Sequence, residues 1–209
     1  KTDGIFQNQA EVDSHPSQVQ LGTVAAPGDL RFVDVNQDGV LDEDDRTYIG
    51  DPLPGFTIGL NVTLNYKKFD FQSFFFASVG NDMVRNYERN TPLVNRTTYE
   101  LDRWHGANTS NSVPRVTTAA TSNSVFSDYY VEDASFVRAQ NMQLGYTFES
   151  GTFGFQDLRI YGAVNNAFTL TKYRGYDPTV TNGDPLSAGF DFGFYPNPRT
   201  YLLGLNLTF

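Results

Sequence analysis

Apolar and polar residues alternate with a period of two along several segments of this chain of 209 residues. The clearest segment runs from Phe56 to Tyr66, where every even-numbered residue is apolar and every odd-numbered one is polar or small. Successive side chains of a β-strand point to opposite faces, so the pattern predicts a strand with one apolar and one polar face. Lys67 and Lys68 predict a tight turn into a second strand over 69–79.

Three more strands are predicted further along the chain. One lies within 135–148, where Met142, Leu144, Tyr146 and Phe148 form the apolar face. The next runs from 158 to about 168 with weaker alternation, and the last runs from 201 to 209. No long segment has the 3.6-residue period of an amphipathic helix. The fold class is therefore predicted as all-β and antiparallel.

The connections between these strands alternate in length. Short ones at 67–68 and 149–156 alternate with long ones at 80–134 and 171–199. Each strand has about the 9–11 residues that a tilted strand needs to cross a bilayer. Outer-membrane barrels alternate short periplasmic turns with long outer loops. The pattern predicts a transmembrane β-barrel segment over 56–209, preceded by an extracellular loop over 1–55.

The composition excludes several classes of function. The net charge of −9 argues against a nucleic-acid partner, which requires clustered Lys and Arg. The absence of cysteine excludes disulfides and thiolate sites. The only histidines, His15 and His105, lie in no recognisable catalytic signature, so no enzyme is predicted. An aromatic content of 15% suits the aromatic girdles of membrane barrels.

An acidic segment follows the spacing of an EF-hand-type calcium loop. The positions that supply oxygens are Asp34, Asn36, Asp38, Val40 through its carbonyl, Asp42 and Asp45. Gly39 permits the sharp turn, and the shorter Asp45 replaces the usual bidentate Glu. The spacing predicts a structural Ca²⁺. The alternative is a solvated acidic turn held by side-chain hydrogen bonds to the backbone.

Two sets of side chains are predicted to have functional contacts: one with a ligand or partner protein, the other with the barrel lumen or a plug. The aromatic loop residues, for which packing is the alternative role, are Trp104, Tyr129, Tyr130, Tyr173, Tyr176, Phe190, Phe192, Phe194 and Tyr195. The polar strand residues expected to face the lumen or a plug are Thr57, Asn61, Asn65, Gln143 and Asn206. Phe209 ends an alternating strand, which resembles the C-terminal signal read by the outer-membrane assembly machinery; the alternative is an ordinary strand end.

Several segments together resemble the C-terminal part of SusC-like (RagA-like) TonB-dependent outer-membrane transporters of the Bacteroidetes. They include the chain start through Glu11, Gly28-Asp29-Leu30-Arg31-Phe32, Asp34 to Gly39, Ile49 to Phe56, Arg103-Trp104, Val113-Pro114-Arg115, Tyr130 to Arg138, Asn141 to Phe148, Asn165 to Phe168, Tyr173 to Pro178 and Tyr195 to Thr200, leading to Phe209. They follow the family's order and cover nearly the whole chain.

The resemblance implies more than the residues show by themselves. The family has an N-terminal plug and a 22-stranded barrel, of which this chain would supply about the last five strands. It implies a bacterial outer-membrane importer of oligosaccharides or peptides that works with a SusD-like surface lipoprotein and draws energy from TonB through the missing N-terminal part. The outer-membrane lipid and the rest of the barrel would be further partners. The rival is a secreted, calcium-stabilised β-sandwich that binds carbohydrate.

Overall fold

The computed structural model describes residues 1–88, 94–149, 151, 154–179 and 188–208. The strands are β1 (Thr2–Ile5), β2 (Leu30–Phe32), β3 (Phe56–Tyr66), β4 (Phe69–Val79), β5 (Asp82–Arg85), β6 (Val131–Asp133), β7 (Phe136–Thr147), β8 (Asp157–Thr171), β9 (Phe190–Asp191) and β10 (Thr200–Thr208). The α-helix is α1 (Gln9–Ser14), and 3-10 turns lie at Val19–Leu21, Glu43–Asp45, Thr98–Asp102, Ser122–Ser124 and Asp128–Tyr130. None of these helices is long and apolar enough to span a membrane.

The long strands form one antiparallel sheet in the order β10-β8-β7-β4-β3. β3 and β4 have the predicted bounds, and the two-residue turn at Lys67 and Lys68 joins them. β7 lies within the predicted range, and β10 starts one residue earlier than predicted. β8 extends three residues beyond its predicted end. The all-β antiparallel fold is therefore confirmed.

A bulge explains the weak alternation of β8. The pairing passes from Asn141 opposite Asn165 to Ala139 opposite Phe168, so one β7 residue faces two β8 residues. Asn166, within the bulge, has a φ of 51°, a left-handed conformation that Asn tolerates better than most residues. Beyond the bulge, Phe168 returns to the face that carries Val164, and the sheet keeps a single apolar side.

The chain divides into two compact units. We call Lys1–Gly50 with Arg85–Val131 the loop unit, and Asp51–Val84 with Glu132–Phe209 the strand unit. The loop unit thus joins the first fifty residues with most of the long connection after β4. The two parts of the loop unit are distant in the sequence. The predicted boundary between an extracellular loop over 1–55 and a barrel segment over 56–209 stays a prediction.

The loop unit has its own small core. Ile5, Leu30, Phe32 and Leu41 are buried together, with Trp104 packed against them. β1 pairs with β2, which brings Ile5 next to Leu30. Apolar burial of this kind is what lets a segment rich in Asn, Ser and Gly hold a fixed structure.

Candidate functional site

One face of the five-stranded sheet is apolar across every strand. A row of directly paired residues crosses it from β3 to β10: Leu64, Phe71, Leu144, Gly162 and Leu203. The three leucine side chains of this row are exposed, with 60% of Leu64, 54% of Leu144 and 85% of Leu203 accessible. A β-sandwich would bury such a face against a second sheet. An exposed apolar face of this extent marks a surface that contacts lipid or protein.

The opposite face of the same sheet is mostly polar or small, although Phe74 and Phe76 of β4 also lie on this side. The neighbouring row from β3 to β10 consists of Asn65, Asp70, Gly145, Tyr161 and Gly204. The residues predicted to face the lumen all lie on this side: Thr57, Asn61, Asn65, Gln143 and Asn206. Sheets in membrane barrels combine an apolar outside with a polar interior in this manner.

A salt bridge crosses this polar face between strands that are not neighbours. Arg159 on β8 donates from Nε to Asp70 Oδ1 on β4 at 2.9 Å and from Nη2 to Oδ2 at 2.5 Å. The guanidinium passes over Gly145 of β7, where a Cβ would lie 2.5 Å from Asp70 Oδ1. The missing side chain of Gly145 is therefore what allows the pair. The ring of Tyr161 covers Gly204 in a similar way.

A second buried network lies at the opposite end of the strands, where the long connections begin. Arg138 of β7 donates to Asp177, and both side chains are almost fully buried. Asp177 also accepts from the backbone N–H groups of Thr179 and Asn197, at 2.9 and 3.0 Å. Burial raises the pKa of Asp177, but these hydrogen bonds outweigh it and hold the pKa below its ordinary value.

A third charged network organises the loop unit. The buried carboxylate of Asp29 accepts from Arg115 Nε at 2.7 Å and from Nη2 at 2.9 Å, a bidentate geometry. Asn123 donates to the same carboxylate at 3.1 Å. Next to this pair, the ring of Trp104 fills the space that a side chain on Gly28 would need.

Sequence reasoning did not single out these charged networks, although their residues stand within the segments that carry the family resemblance. Asp29 and Arg115 come from two such segments, and Arg138 and Asp177 from two others. A sequence does not show which distant segments meet. The available signal was only that charged residues stand within those segments, and other charged residues such as Arg31 and Arg174 stand there too.

The acidic segment forms a tight turn of side-chain-to-backbone hydrogen bonds. Asp34 accepts from the N–H groups of Gln37 and Gly39 at 2.6 and 2.8 Å, and Asp38 accepts from Val40 N at 2.8 Å. Asp45 caps the turn by accepting from the N–H groups of Val35 and Asp42 at 2.7 and 3.0 Å. Burial raises the pKa of Asp45, but the backbone donors outweigh it and the pKa lies below the ordinary value. Asn36 and Asp42 accept likewise from the N–H groups of Asp38 and Asp44.

The aromatic loop residues divide into internal and exposed groups. Tyr130 and Tyr173 are buried, and their hydroxyls donate to Asn123 O at 2.6 Å and Asp191 Oδ2 at 2.7 Å. Trp104 and Tyr129 pack against the loop-unit core. The exposed residues are Tyr176, Phe192 and Tyr195, with Phe190 and Phe194 half-buried beside Phe192. Phe209 lies outside the described residues.

Comparison with known proteins shows which proteins the chain is similar to. No family model matches the chain. The chain is 37% identical to TonB-dependent receptor P3 of Formosa agariphila over 195 residues, which are 88% of the chain and 19% of that receptor. It is 32% identical to TonB-dependent receptor SusC of Bacteroides thetaiotaomicron over 187 residues, 88% of the chain and 18% of SusC.

Solved structures agree with the fold. The RagAB peptide importer in its open-open state matches 100% of the chain and 22% of its own chain, with a TM-score of 0.69 and 23% identity. Its closed-closed state matches 87% of the chain and 21% of its own, with a TM-score of 0.67 and 25% identity. These proteins are named as receptors and importers rather than enzymes.

A sheet with an apolar exposed face, a polar reverse face and this structural likeness is part of the wall of an outer-membrane β-barrel. The chain is homologous over most of its length to SusC-like TonB-dependent receptors, which confirms the resemblance read from the sequence and the outer-membrane location. It spans about a fifth of the length of these relatives.

Proposed function

We propose that the chain forms wall strands and outer loops of a TonB-dependent importer that takes up oligosaccharides or peptides together with a SusD-like surface lipoprotein. The opposed faces of the five-stranded sheet carry this proposal. Lipid can cover the side with Leu64 and Leu203, while the side with Asn65 and Asp70 suits a hydrated interior. In lipid every backbone polar group must pair internally, which a barrel wall achieves.

The relatives support the coarse function and leave two candidate substrate classes. One structural neighbour is described as a peptide importer and one homologue as SusC. Both ligand classes can stack on exposed aromatic rings, such as those of Tyr176 and Tyr195. The substrate is therefore proposed by class, oligosaccharide or peptide.

Uptake by cells that carry the complete receptor tests the proposal. Labelled oligosaccharides and oligopeptides of matched size are supplied to wild-type cells, to cells lacking the receptor and to cells lacking TonB. We expect one ligand class to accumulate only when both receptor and TonB are present, and a SusD-like lipoprotein to co-purify with the receptor. Equal accumulation in all three strains for both ligand classes would contradict the importer. A receptor that is monodisperse without detergent would favour the secreted sandwich instead.

We further propose that the acidic segment binds a structural Ca²⁺. The order of oxygen donors from Asp34 through Asp45 supports it, because hard cations take six to eight oxygens and one N–H bond leaves a second lone pair on each acceptor. Among the described residues, no group of three or more His, Cys, Asp or Glu side chains is clustered for a metal. A site here therefore has to use Asn36 and the carbonyl of Val40 as well.

Calorimetry with Ca²⁺ on the complete receptor tests this second proposal. We expect binding heat for the wild type, its loss in Asp38→Ala, and its retention in Asp44→Ala, a matched change at a position outside the donor pattern. Absence of heat in the wild type, or equal heat in both variants, would contradict a Ca²⁺ site at these residues. The acidic segment would then be a turn held only by side-chain hydrogen bonds to the backbone.

A further inference from the structure

A small groove opens at one end of the apolar face. It has a volume of 340 Å³ and lies where β4, β7 and β8 meet their long connections. The residues that form its walls include Val79, Asp133, Ser135, Val137, Leu170 and Lys172. The three apolar residues belong to the exposed apolar face, because Val137 pairs with Leu170 and Val79 pairs with Phe56 of that face on β3. The groove is therefore continuous with the surface that lipid covers.

The lengths of the connections orient this groove in the membrane. At the other end of the same strands, short turns join β3 to β4 and β7 to β8. Outer-membrane barrels place short turns in the periplasm and long loops outside. Val79, Val137 and Leu170 thus stand at the outer boundary of the hydrocarbon, where lipid acyl chains end and headgroups begin.

Two opposite charges stand at the polar rim of the groove. Lys172 is exposed and forms no ion pair or hydrogen bond with the part of the chain that the structure describes. Asp133 accepts from Ser135 N at 2.9 Å. Hydrogen bonds from Ser135 and the positive charge of Lys172 hold the pKa of Asp133 below its ordinary value, so the carboxylate is charged at neutral pH. The rim presents a cation and an anion that are not bound to each other.

We propose that this groove binds a lipid of the outer leaflet that bears a phosphoethanolamine headgroup. The acyl chains would lie along Val137 and Leu170, Lys172 would contact the phosphate, and Asp133 would contact the ammonium. A long lysine side chain at a membrane boundary extends its charge to the headgroups. A headgroup with phosphate alone would meet the negative charge of Asp133, so the paired rim favours a zwitterionic lipid over an anionic one.

Native mass spectrometry of the complete receptor in detergent tests the site. The receptor is titrated with lipid A that carries phosphoethanolamine, or with lipid A of identical acyl chains that carries phosphate alone. We expect wild type to bind the phosphoethanolamine form more tightly. Lys172→Gln should weaken binding of both lipids about fivefold, since one basic residue near a lipid surface contributes on that scale. Asp133→Asn should remove the preference between the two lipids, and Lys172→Arg should restore binding.

The matched control is Lys67→Gln, which removes an exposed lysine at the short-turn end of the same sheet. It should leave both affinities unchanged. Equal affinity of the wild type for the two lipids would overturn the proposal, as would a Lys172→Gln receptor that binds both lipids like the Lys67→Gln control. Mobility of each unboiled variant on a gel reports whether its barrel is folded, so a loss of lipid is read only in folded protein.

Discussion

Arg159 binds Asp70 across an intervening strand, and the two residues are 89 positions apart in the sequence. The pair can form because Gly145 of the strand between them leaves room for the guanidinium. Charge on the polar face of the sheet is thus paired over three strands. A bidentate pair of this kind fixes geometry in addition to its attraction.

The ion pair between Arg159 and Asp70 should require glycine at position 145. Gly145→Ala should displace the guanidinium of Arg159 and lower the free energy of unfolding by about 1 kcal/mol, the scale of a partly exposed ion pair. Gly162→Ala is the matched control, because the nearest atom to its new Cβ would be 3.9 Å away. Denaturant unfolding of the receptor in lipid vesicles measures both. Equal stability of the two variants would mean that the pair does not depend on the glycine.

The two faces of β3 should respond oppositely to charge. Leu60→Arg places a cation in the middle of the apolar face and should cost about 2–4 kcal/mol in the bilayer, seen as loss of folded receptor in the outer-membrane fraction. Asn61→Arg puts the same side chain on the polar face and should be tolerated. If the two variants reach the membrane equally, lipid does not contact the face that carries Leu60.

The buried pair of Arg138 and Asp177 should stabilise the loop that follows β8. Asp177→Ala leaves a buried guanidinium without its carboxylate, a change that costs about 3–5 kcal/mol. Limited proteolysis within the connection after β8 should become faster, whereas Asp157→Asn, at an exposed carboxylate of the same strand, should leave the rate unchanged. Cleavage at the wild-type rate in Asp177→Ala would contradict an anchoring role.

The same carboxylate predicts a direction for pH dependence. The pKa of Asp177 is lower in the folded protein than in the unfolded chain, so its contribution is fully present above the unfolded value of about 3.9. The contribution is lost as the pH falls through the lower folded value. Proteolysis of the loop should therefore accelerate in acid with wild type, and the difference between wild type and Asp177→Asn should shrink there. A difference that stays constant with pH would exclude the ionised carboxylate as the cause.

Substitution of an exposed tyrosine should affect ligand uptake, whereas substitution of a buried tyrosine should affect stability. Tyr195→Ala should leave unfolding unchanged within about 0.5 kcal/mol and reduce ligand uptake, because the ring is 88% exposed. Tyr173→Phe removes a hydroxyl that donates to the buried Asp191 and should destabilise the receptor by about 2 kcal/mol. Normal uptake with Tyr195→Ala would remove this ring from the ligand-contact prediction.

The sequence by itself determined the five long strands and their two faces, but it did not predict the short strands β1, β2, β5, β6 and β9. The alternation from Phe56 to Tyr66 fixes which side chains share a side, because in a strand the direction of each side chain depends only on its position. The lengths of the connections likewise separate the two ends of the strands without any knowledge of contacts. The side to which each strand residue points and the length of each connection can be read along the chain without knowledge of tertiary contacts. Both were predicted correctly for the five long strands.

Only the tertiary structure decided which residues meet. Tyr173 and Tyr195 look alike in the sequence, yet one is 6% and the other 88% exposed. The bulge at Asn166, the bond from Arg159 to Asp70, the network around Asp177 and the groove beside Lys172 all depend on how strands far apart in the chain align. Pairing register and burial arise from contacts between distant segments, and a single sequence carries no direct record of those contacts.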